Sequence, residues 1–449
     1  MNRPSAVPVT DVPQREALIA WFRRNRGRSQ ALFDLLDPSV YYERPIALRN
    51  PIVFYEGHLP AFNVIVLVKR GLGRPGVDEP LETLFARGID PESEATAQAR
   101  GNPSSWPSRA EVQAYAARAD ALVEEALARA PIWQPGHPVL DRAAGAFTAL
   151  EHEAMHQETL LYMWHRVDPS LKRAPAGLPP LELDAAPPEP RVVEVPAGRA
   201  TLGARRDGIP FGWDNEFEAI TVDVPAFAID VHSVTNAQYL EFVEDGGYEN
   251  RAWWDDEGWR WRETHGITHP LFWERSGDGW VWRTQFGRVP LPAAWPVYVS
   301  HAEACAYARW SGGRLPTEAE FHRAAYGTPD GRERAHPWGD EPPDASRGHF
   351  DMVGYDPVPA GSRPAGASAW GVHDLVGNGW EWTSSVFGPF PGFQAMAAYP
   401  EYSADFFDGQ HFVLKGASPV TPAELIRRSF RNWFRANYPY VYAKFRCVR

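Results

Sequence analysis

The chemistry suggested most strongly by the sequence is metal binding by histidine. His152 and His156 stand four residues apart in the segment EHEAMHQE, and this spacing places two imidazoles on one face of a helix. His58, in the segment FYEGHLPAF, is the candidate third ligand, because it lies in a neighbouring predicted helix and antiparallel helices of a bundle bring such positions together. Imidazole binds Fe, Zn, Cu and Ni alike, and three protein ligands leave positions open for substrate and dioxygen. The alternative is that a histidine pair at this spacing has arisen by chance, as ordinary polar residues.

Three glutamates, Glu151, Glu153 and Glu158, surround the histidine pair. They either accept hydrogen bonds that fix the tautomers of metal-bound rings, or are solvated charges on a helix face, which is the commoner fate of glutamate. None of the three is predicted to be a metal ligand.

The elements that must position these histidines are helices. Apolar residues recur at three- and four-residue spacing from residue 14 to about 166, which predicts a four-helix bundle over 1–167, with Pro60 bending its second helix. Residues 168–196 are rich in proline and predict an extended linker. From 197 to 449, short apolar stretches alternate with Gly, Pro, Asp and Asn clusters, which predicts a loop-rich mixed domain. The predicted fold class is therefore α+β and multidomain.

Composition limits the classes of partner and the compartment. The 449 residues carry 45 Lys+Arg against 57 Asp+Glu, a net charge of -12, which argues against a nucleic-acid partner. Cys305 and Cys447 are too few for a disulfide framework, which favours a reducing cytoplasm. The most apolar run, Val64–Val68, is far shorter than the roughly 20 residues of a membrane helix. We expect an untargeted, soluble, cytoplasmic protein without a membrane partner; the sequence does not indicate its oligomeric state.

Motifs along nearly the whole chain resemble those of a known family. The bundle histidine segments are similar to the damage-inducible-B (DinB)-like bundle of the ergothioneine-pathway sulfoxide synthases, and the second domain resembles the C-type-lectin-like fold of the formylglycine-generating enzymes. The markers of that second domain are FGWDNEFEA from Phe211, VTNAQYLEFVEDGGY from Val234, GGRLPTEAEFHRAA from Gly312, GNGWEWTSS from Gly377 and FRNWFRANYPYVYAKFRCVR from Phe430.

The resemblance implies a cofactor, a co-substrate and a substrate. In that family the bundle histidines hold a non-haem Fe(II), dioxygen is a co-substrate, and the C-terminal segment binds hercynine, the trimethylammonium betaine of histidine. The matching residues here are Asn432, which would hydrogen-bond the betaine, and Trp433, which would face the quaternary cation in an interaction of about 0.5–2 kcal/mol. The alternative for Trp433 is a packed structural side chain.

A tyrosine pair is also implied to lie beside the iron. Tyr399 and Tyr402, in the segment AYPEYSADFF, match a family pair of which one member donates a proton or an electron. We favour Tyr399 for that role. A purely structural tyrosine is the alternative.

Departures from the family pattern bear on the second substrate. Phe434 and Tyr438 stand where the enzymes that use gamma-glutamylcysteine have an acid and an arginine, and Met155 stands where a glutamine is common. Aromatic residues suit a sugar better than a charged thiol. The pattern is similar to the selenoneine synthase branch, which joins selenium from 1-seleno-N-acetylglucosamine, a selenosugar, to hercynine. The alternative donor is a thiol, gamma-glutamylcysteine or cysteine, for which Arg100 and Arg109 are the candidate contacts.

Other classes of function remain open at this stage. A thiol S-transferase would use zinc or nickel in the bundle without dioxygen, and a noncatalytic module would hold a small ligand in the second domain. Formylglycine-generating activity is disfavoured, because Cys305 lies in a predicted helix and Cys447 lies near the C-terminus.

Overall fold

The structure, a computed structural model, describes residues 15–86 and 106–449. These residues form two compact units. The first contains the described residues up to Arg173 together with two later segments, Ala204–Phe217 and Gln394–Tyr402. The second contains Ala174–Gly203, Glu218–Phe393 and Ser403–Arg449.

Long helices make up the first unit, as the apolar periodicity predicted. The α-helices described in it are α1 (Arg15–Phe33), α2 (Ile52–Asn63), α3 (Glu79–Phe85), α4 (Arg109–Arg129) and α5 (Ala144–Trp164). Helix α2 packs against α3, α4 and α5, while α1 packs against α4 and α5. The two helices that carry the candidate ligands, α2 and α5, are therefore direct neighbours.

Helix α2 is the central helix of this unit. All of its residues are buried, and it continues as a π-helix over Val64–Gly71, shortly after Pro60. Among the described residues, Ile52–Gly71 is the one helix whose length and hydropathy would suffice to cross a membrane, so the expectation based on Val64–Val68 understated the length of this apolar segment. However, 89% of its most apolar window is buried inside the protein, and core helices of soluble proteins pass the same test.

The second unit mixes short helices with small sheets. Its α-helices are α6 (Asn236–Glu244), α7 (Asp256–His265), α8 (His301–Trp310) and α9 (Glu318–Tyr326). Its strands are β1 (Val192–Val195), β2 (Gly198–Leu202), β3 (Ile220–Val224), β4 (Phe227–Asp230), β5 (Trp273–Ser276), β6 (Gly279–Arg283), β7 (Arg288–Pro290), β8 (Gly379–Val386), β9 (His411–Ala417), β10 (Asn432–Arg435) and β11 (Ala443–Lys444). The largest sheet has the order β10-β9-β8-β11, with β11 parallel to β8. Smaller sheets pair β1 with β4 and β2 with β3, and join β5, β6 and β7.

Buried tryptophans and one buried ionic cluster stabilise the second unit. Trp273, Trp282, Trp295 and Trp382 are fully buried, which suits a domain with short strands, because each indole contributes a large contact area. Lys444 donates to the Glu381 carboxylate at 2.8 Å, and Arg446 pairs with the same carboxylate; all three side chains are fully buried. The cluster bridges the β8 and β11 region of the largest sheet.

The observed units are discontinuous along the chain. Residues 168–196, expected as an extended linker, include a 3-10 turn at Pro169–Leu171 and strand β1. The segments Ala204–Phe217 and Gln394–Tyr402 belong to the helical unit, although they lie far beyond the bundle in the sequence. Non-local hydrogen bonds and ring contacts hold them there, and such contacts leave no periodic pattern in the sequence.

Candidate metal centre

Three imidazoles from two helices converge in the first unit. Helix α2 carries His58, and α5 carries His152 and His156 one turn apart. The ring centroids lie 5.1 Å apart for His58 and His152, 5.0 Å for His58 and His156, and 4.4 Å for His152 and His156. One ring nitrogen from each lies within 4.8 Å of the others, so the three histidines form a group that could hold a metal ion.

A hydrogen bond sets the tautomer of His58. Its Nδ1 lies 2.7 Å from the backbone carbonyl oxygen of Phe85, at the end of α3. Because a carbonyl can only accept, Nδ1 carries the proton and donates, which leaves the lone pair on Nε2. A carbonyl acceptor behind the ring is the usual orienting partner of a metal-bound imidazole.

The free nitrogens and the charge state of the rings fit a metal. Among the described residues, His58 Nε2, His152 Nδ1 and His156 Nδ1 are buried atoms without a hydrogen-bond partner. Burial lowers the pKa of His58 to about 4. Burial, reinforced by neighbouring imidazoles, lowers the pKa values of His152 and His156 well below the ordinary range. All three rings are therefore neutral near pH 7, and buried lone pairs that lack donors would be satisfied by a cation.

Aromatic side chains surround these imidazoles. Phe62 stacks on His152 with ring centroids 3.4 Å apart and an interplanar angle of 8°. Phe54 stacks on His58 at 5.0 Å, also nearly parallel. These contacts fix ring orientation and exclude water from one side of the centre.

Both predicted tyrosines and Met155 lie in the same unit as the histidines. The Tyr399 ring is 5.1 Å from Phe62 and 6.0 Å from His152, measured between centroids. The Tyr402 hydroxyl donates to the Met155 sulfur at 3.2 Å, and the two tyrosine rings are 5.8 Å apart. The structure therefore brings together six residues selected from the sequence: the three histidines, the two tyrosines and Met155.

Trp213 was missed as a site residue, although its motif was noted. It is 1% exposed, stacks on Tyr402 with centroids 3.9 Å apart, and donates from Nε1 to Glu151 Oε2 at 2.8 Å. Next to it, Asp214 Oδ2 accepts from the backbone N–H of Met396 at 3.2 Å. This bond joins the two segments Ala204–Phe217 and Gln394–Tyr402. The available signal was a tryptophan in FGWDNEFEA, whose indole N–H needs an acceptor when buried.

The glutamates around the histidines are buried, and two of them accept hydrogen bonds from other elements. Glu151 accepts from Trp213, and Glu153 accepts from residues of α1 and α2; both side chains are at most 3% exposed. Glu158 is 8% exposed. The solvated alternative for these residues is therefore wrong.

The predicted hercynine residues lie in the second unit, on strand β10. Asn432 Oδ1 accepts from the backbone N–H of Trp433 at 2.9 Å. The half-buried Trp433 ring stacks on Phe387 with centroids 4.1 Å apart and an angle of 6°, and Phe406 lies 5.6 Å away. One face of Trp433 is therefore held by a neighbouring ring.

The two aromatic residues assigned to the second substrate lie close together in the second unit. Phe434 and Tyr438 stack with centroids 5.1 Å apart and an angle of 10°, and Tyr440 meets Tyr438 edge-on. Of the two arginines considered for a thiol donor, Arg109 binds Glu56 within the first unit, with both Nε and Nη2 3.1 Å from Oε1. Arg100 lies outside the described residues.

Comparison with known protein families confirms the predicted fold class. Residues 22–160 match the DinB superfamily, and residues 180–449 match the sulfatase-modifying factor enzyme 1-like domain. An N-terminal DinB-like helical domain is thus followed by a domain of the formylglycine-generating-enzyme type.

Two relatives align with this chain over nearly their full length, and a third aligns over about half of its own length. A protein named hercynine oxygenase from Mycolicibacterium thermoresistibile is 36% identical over 433 residues, covering 94% of this chain and 92% of the relative. A protein of the same name from Mycobacterium tuberculosis is 36% identical over 441 residues, covering 97% of this chain and 98% of the relative. Ergothioneine biosynthesis protein 1 of Neurospora crassa is 30% identical over 92% of this chain and 55% of its own length. The solved structure of PvdO from Pseudomonas aeruginosa, 20% identical, aligns with a TM-score of 0.39 over 57% of this chain and 93% of its own.

Proposed function

The chain belongs to the family that joins a DinB superfamily domain to a sulfatase-modifying factor enzyme 1-like domain and includes the hercynine oxygenases, and on this premise we propose that it is an Fe(II)- and dioxygen-dependent enzyme acting on hercynine. The proposed reaction is oxidative carbon–selenium bond formation between hercynine and the selenosugar 1-seleno-N-acetylglucosamine. The observation that carries the proposal is the convergence of three neutral imidazoles with unpartnered nitrogens. We propose that it acts in the cytoplasm, which the two unpaired cysteines suit.

The proposed iron ligands are His58 Nε2 and one ring nitrogen each of His152 and His156. Bound Fe(II) would supply open positions at which dioxygen and a substrate imidazole are brought together. The protein's own contribution is orientation: the Phe85 carbonyl holds the His58 ring, and Phe62 fixes the plane of His152. Ligands held in this way lose little freedom when the ion binds.

Hercynine recognition is assigned to Asn432 and Trp433. The Asn432 amide would hydrogen-bond the betaine, and the indole of Trp433 would bind the trimethylammonium group through a cation–π contact of about 0.5–2 kcal/mol. The Phe387 stack supports this role, because it holds the indole in one plane before substrate arrives.

Proton transfer is assigned to Tyr399, whose ring centroid lies 6.0 Å from that of His152. Its hydroxyl would hold the proton that is transferred during turnover. Tyr402, fixed between Trp213 and the Met155 sulfur, would support the position of Tyr399 through their ring contact.

The selenosugar is supported by the parallel stack of Phe434 and Tyr438, since the C–H faces of a sugar pack on aromatic rings, whereas neither of these two side chains carries a charge that could pair with a charged donor. The alternative donor is gamma-glutamylcysteine or cysteine, which would yield a sulfoxide. The relatives named for ergothioneine biosynthesis favour this alternative, because ergothioneine contains sulfur in place of selenium.

Substrate competition under defined oxygen tests the proposal. The apoprotein would be loaded with Fe(II) without oxygen and then given hercynine with 1-seleno-N-acetylglucosamine, gamma-glutamylcysteine or cysteine, in air and under argon, with products identified by mass spectrometry. We expect a carbon–selenium product that requires both iron and air, and its loss in His152→Ala.

Each other outcome rejects a specific part of the proposal. Turnover of a thiol but not of the selenosugar would establish the alternative donor. Turnover under argon, or with zinc and no iron, would refute the oxygen- and iron-dependent mechanism. Undiminished turnover in His152→Ala would refute the assigned metal centre. Glu274→Gln, which removes two partly exposed ion pairs of the second unit, is the control expected to keep wild-type activity.

A further inference from the structure

A second pair of polar residues accompanies the histidine pair along α5. Glu153 directly follows His152, and Gln157 directly follows His156, so this pair has the same four-residue spacing. On an α-helix each successive residue is rotated by about 100°, and Glu153 and Gln157 therefore form a stripe beside the ligand face. Both side chains are fully buried, which is rare for a charged residue without partners.

Glu153 connects α5 directly to two other helices and, through Arg26, to a third. Its Oε1 accepts from Arg26 Nη1 and from Ser29 Oγ on α1, each at 2.7 Å. Its Oε2 accepts from Asn63 Nδ2 at the end of α2, at 3.2 Å. Arg26 in turn pairs through Nε with Asp120 Oδ1 on α4 at 2.9 Å. The carboxylate thus links the helix of His152 and His156 to α2, the helix of His58.

Gln157 repeats this connection one turn later. Its Nε2 donates to the backbone oxygen of Asn25 and to Ser29 Oγ, each at 3.0 Å, and its Oε1 accepts from Arg28 Nη1 at 3.2 Å. The Asn25 amide donates back to the Leu150 carbonyl of α5 at 2.8 Å. Polar bonds therefore join α5 to α1 at two levels, one beside each metal-ligand position.

We infer that Glu153 and Gln157 are positioning residues, which hold His152 and His156 in the axial register and rotation that meet His58. Apolar contacts between helices are non-directional and tolerate small sliding or rotation, whereas hydrogen bonds near 3 Å are directional. Two such anchors one turn apart fix both degrees of freedom. The inference rests on the proposed function, because it concerns the metal held by the same three histidines.

We expect that removing either side chain weakens metal binding even in a variant that remains folded. Partners that orient metal ligands cost about 10–100-fold in metal affinity when removed. In Glu153→Gln the side chain keeps its size, but one acceptor oxygen becomes a donor that faces existing donors, and Arg26 loses one of its two carboxylates. In Gln157→Met the volume is kept, the hydrogen bonds are removed, and no charge is left unpaired.

Co(II) titration of the full-length apoprotein provides the test, because the visible d–d spectrum of Co(II) reports ligand geometry and a competing chelator gives the affinity. We expect Glu153→Gln and Gln157→Met to bind Co(II) at least 10-fold more weakly than wild type and with altered band intensities. Thr148→Val is the matched control: this buried hydroxyl of α5 donates at 2.8 Å to the Ala144 carbonyl of its own helix, so its loss should leave affinity and spectrum unchanged.

The outcomes separate this inference from the proposed function. If wild type binds Co(II) and the variants match its affinity and spectrum, the positioning role alone is overturned, even if the variants are less stable. Wild type that binds no Co(II) overturns both the metal centre and the positioning role. If Glu153→Gln does not fold, Gln157→Met decides the question, because it creates no unpaired charge.

Discussion

Replacing Trp213 by phenylalanine tests whether the segment Ala204–Phe217 holds residues near the metal centre in place. The Trp213 indole stacks on Tyr402 at 3.9 Å and donates to Glu151 at 2.8 Å, and it is 1% exposed. Phenylalanine keeps a ring for the stack but removes the N–H donor and part of the packed volume. Glu151 is 3% exposed, so its carboxylate loses a charged hydrogen bond that water cannot readily replace.

The magnitude follows from these contacts. A hydrogen bond to a charged group contributes about 1.5–3 kcal/mol, and the vacated part of the indole site adds up to about 1 kcal/mol. We expect Trp213→Phe to lower the free energy of unfolding of the helical unit by about 2–4 kcal/mol. Because the ring that stacks on Tyr402 is no longer anchored by a hydrogen bond to Glu151, we also expect kcat to fall about 10-fold, equal to roughly 1.4 kcal/mol of barrier, with KM for hercynine unchanged.

Urea unfolding followed by helical circular dichroism, together with steady-state turnover, would measure both effects. Trp338→Phe is the matched control, since the Trp338 indole donates to the Glu341 carbonyl at 2.9 Å in an exposed setting of the second unit. It should cost less than about 1 kcal/mol and leave kcat unchanged. Equal stability losses in the two variants, with kcat preserved in both, would refute the reasoning.

Three further predictions concern other buried positions. Gly57→Ala should lower the free energy of unfolding, measured in urea, by about 1–3 kcal/mol, because an added Cβ would lie 2.4 Å from ring carbons of Phe85. The backbone carbonyl of Phe85 also orients the metal ligand His58. Burial lowers the pKa of His301 to about 4, so its stabilising contribution is complete above its ordinary pKa of 6.5 and is lost as pH falls toward 4; wild type should lose about 2 kcal/mol more than His301→Gln between pH 7.5 and pH 5. Glu381→Gln should cost about 3–5 kcal/mol in urea unfolding, since it leaves Arg446 and a buried lysine without their counter-charge.

Controls for these predictions come from positions without the same constraints. Gly27→Ala, where an added Cβ meets no atom within 4 Å, should stabilise the helix by about 0.5–1 kcal/mol, and a loss as large as that of Gly57→Ala would contradict the steric argument. Identical pH profiles of stability for wild type and His301→Gln would show that the pKa of His301 does not change on unfolding. Asp207→Asn removes an exposed ion pair that solvent screens, and it should leave the urea unfolding midpoint unchanged; a midpoint equally unchanged in Glu381→Gln would contradict the buried-cluster account.

Local pattern was sufficient to predict the helices and much of the centre. The four-residue spacing of His152 and His156 fixes two rings on one face, and bundle packing places His58 opposite them, as the centroid distances show. The helix after Thr235 is likewise determined by local sequence, since the Thr235 hydroxyl and Gln238 form a capping box at its start. In each case the information lies within a few residues of the element it determines.

Contacts between distant segments could not be predicted in this way. Trp213 reaches Glu151 across 62 residues, and Tyr402 reaches Met155 across 247 residues, so neither pair leaves a periodic signal. Glu153 reads as an ordinary charged helix residue until its partners on α1 and α2 are seen. Loop-closing contacts of this kind depend on the whole packing arrangement rather than on local preference.

Anomalous diffraction at the iron edge, from crystals of protein loaded with Fe(II) without oxygen, tests the central claim most directly. We predict one iron atom per chain at about 2 Å from His58 Nε2 and from one ring nitrogen each of His152 and His156. An iron atom bound elsewhere in the chain, with these three imidazoles left unligated, would contradict the account.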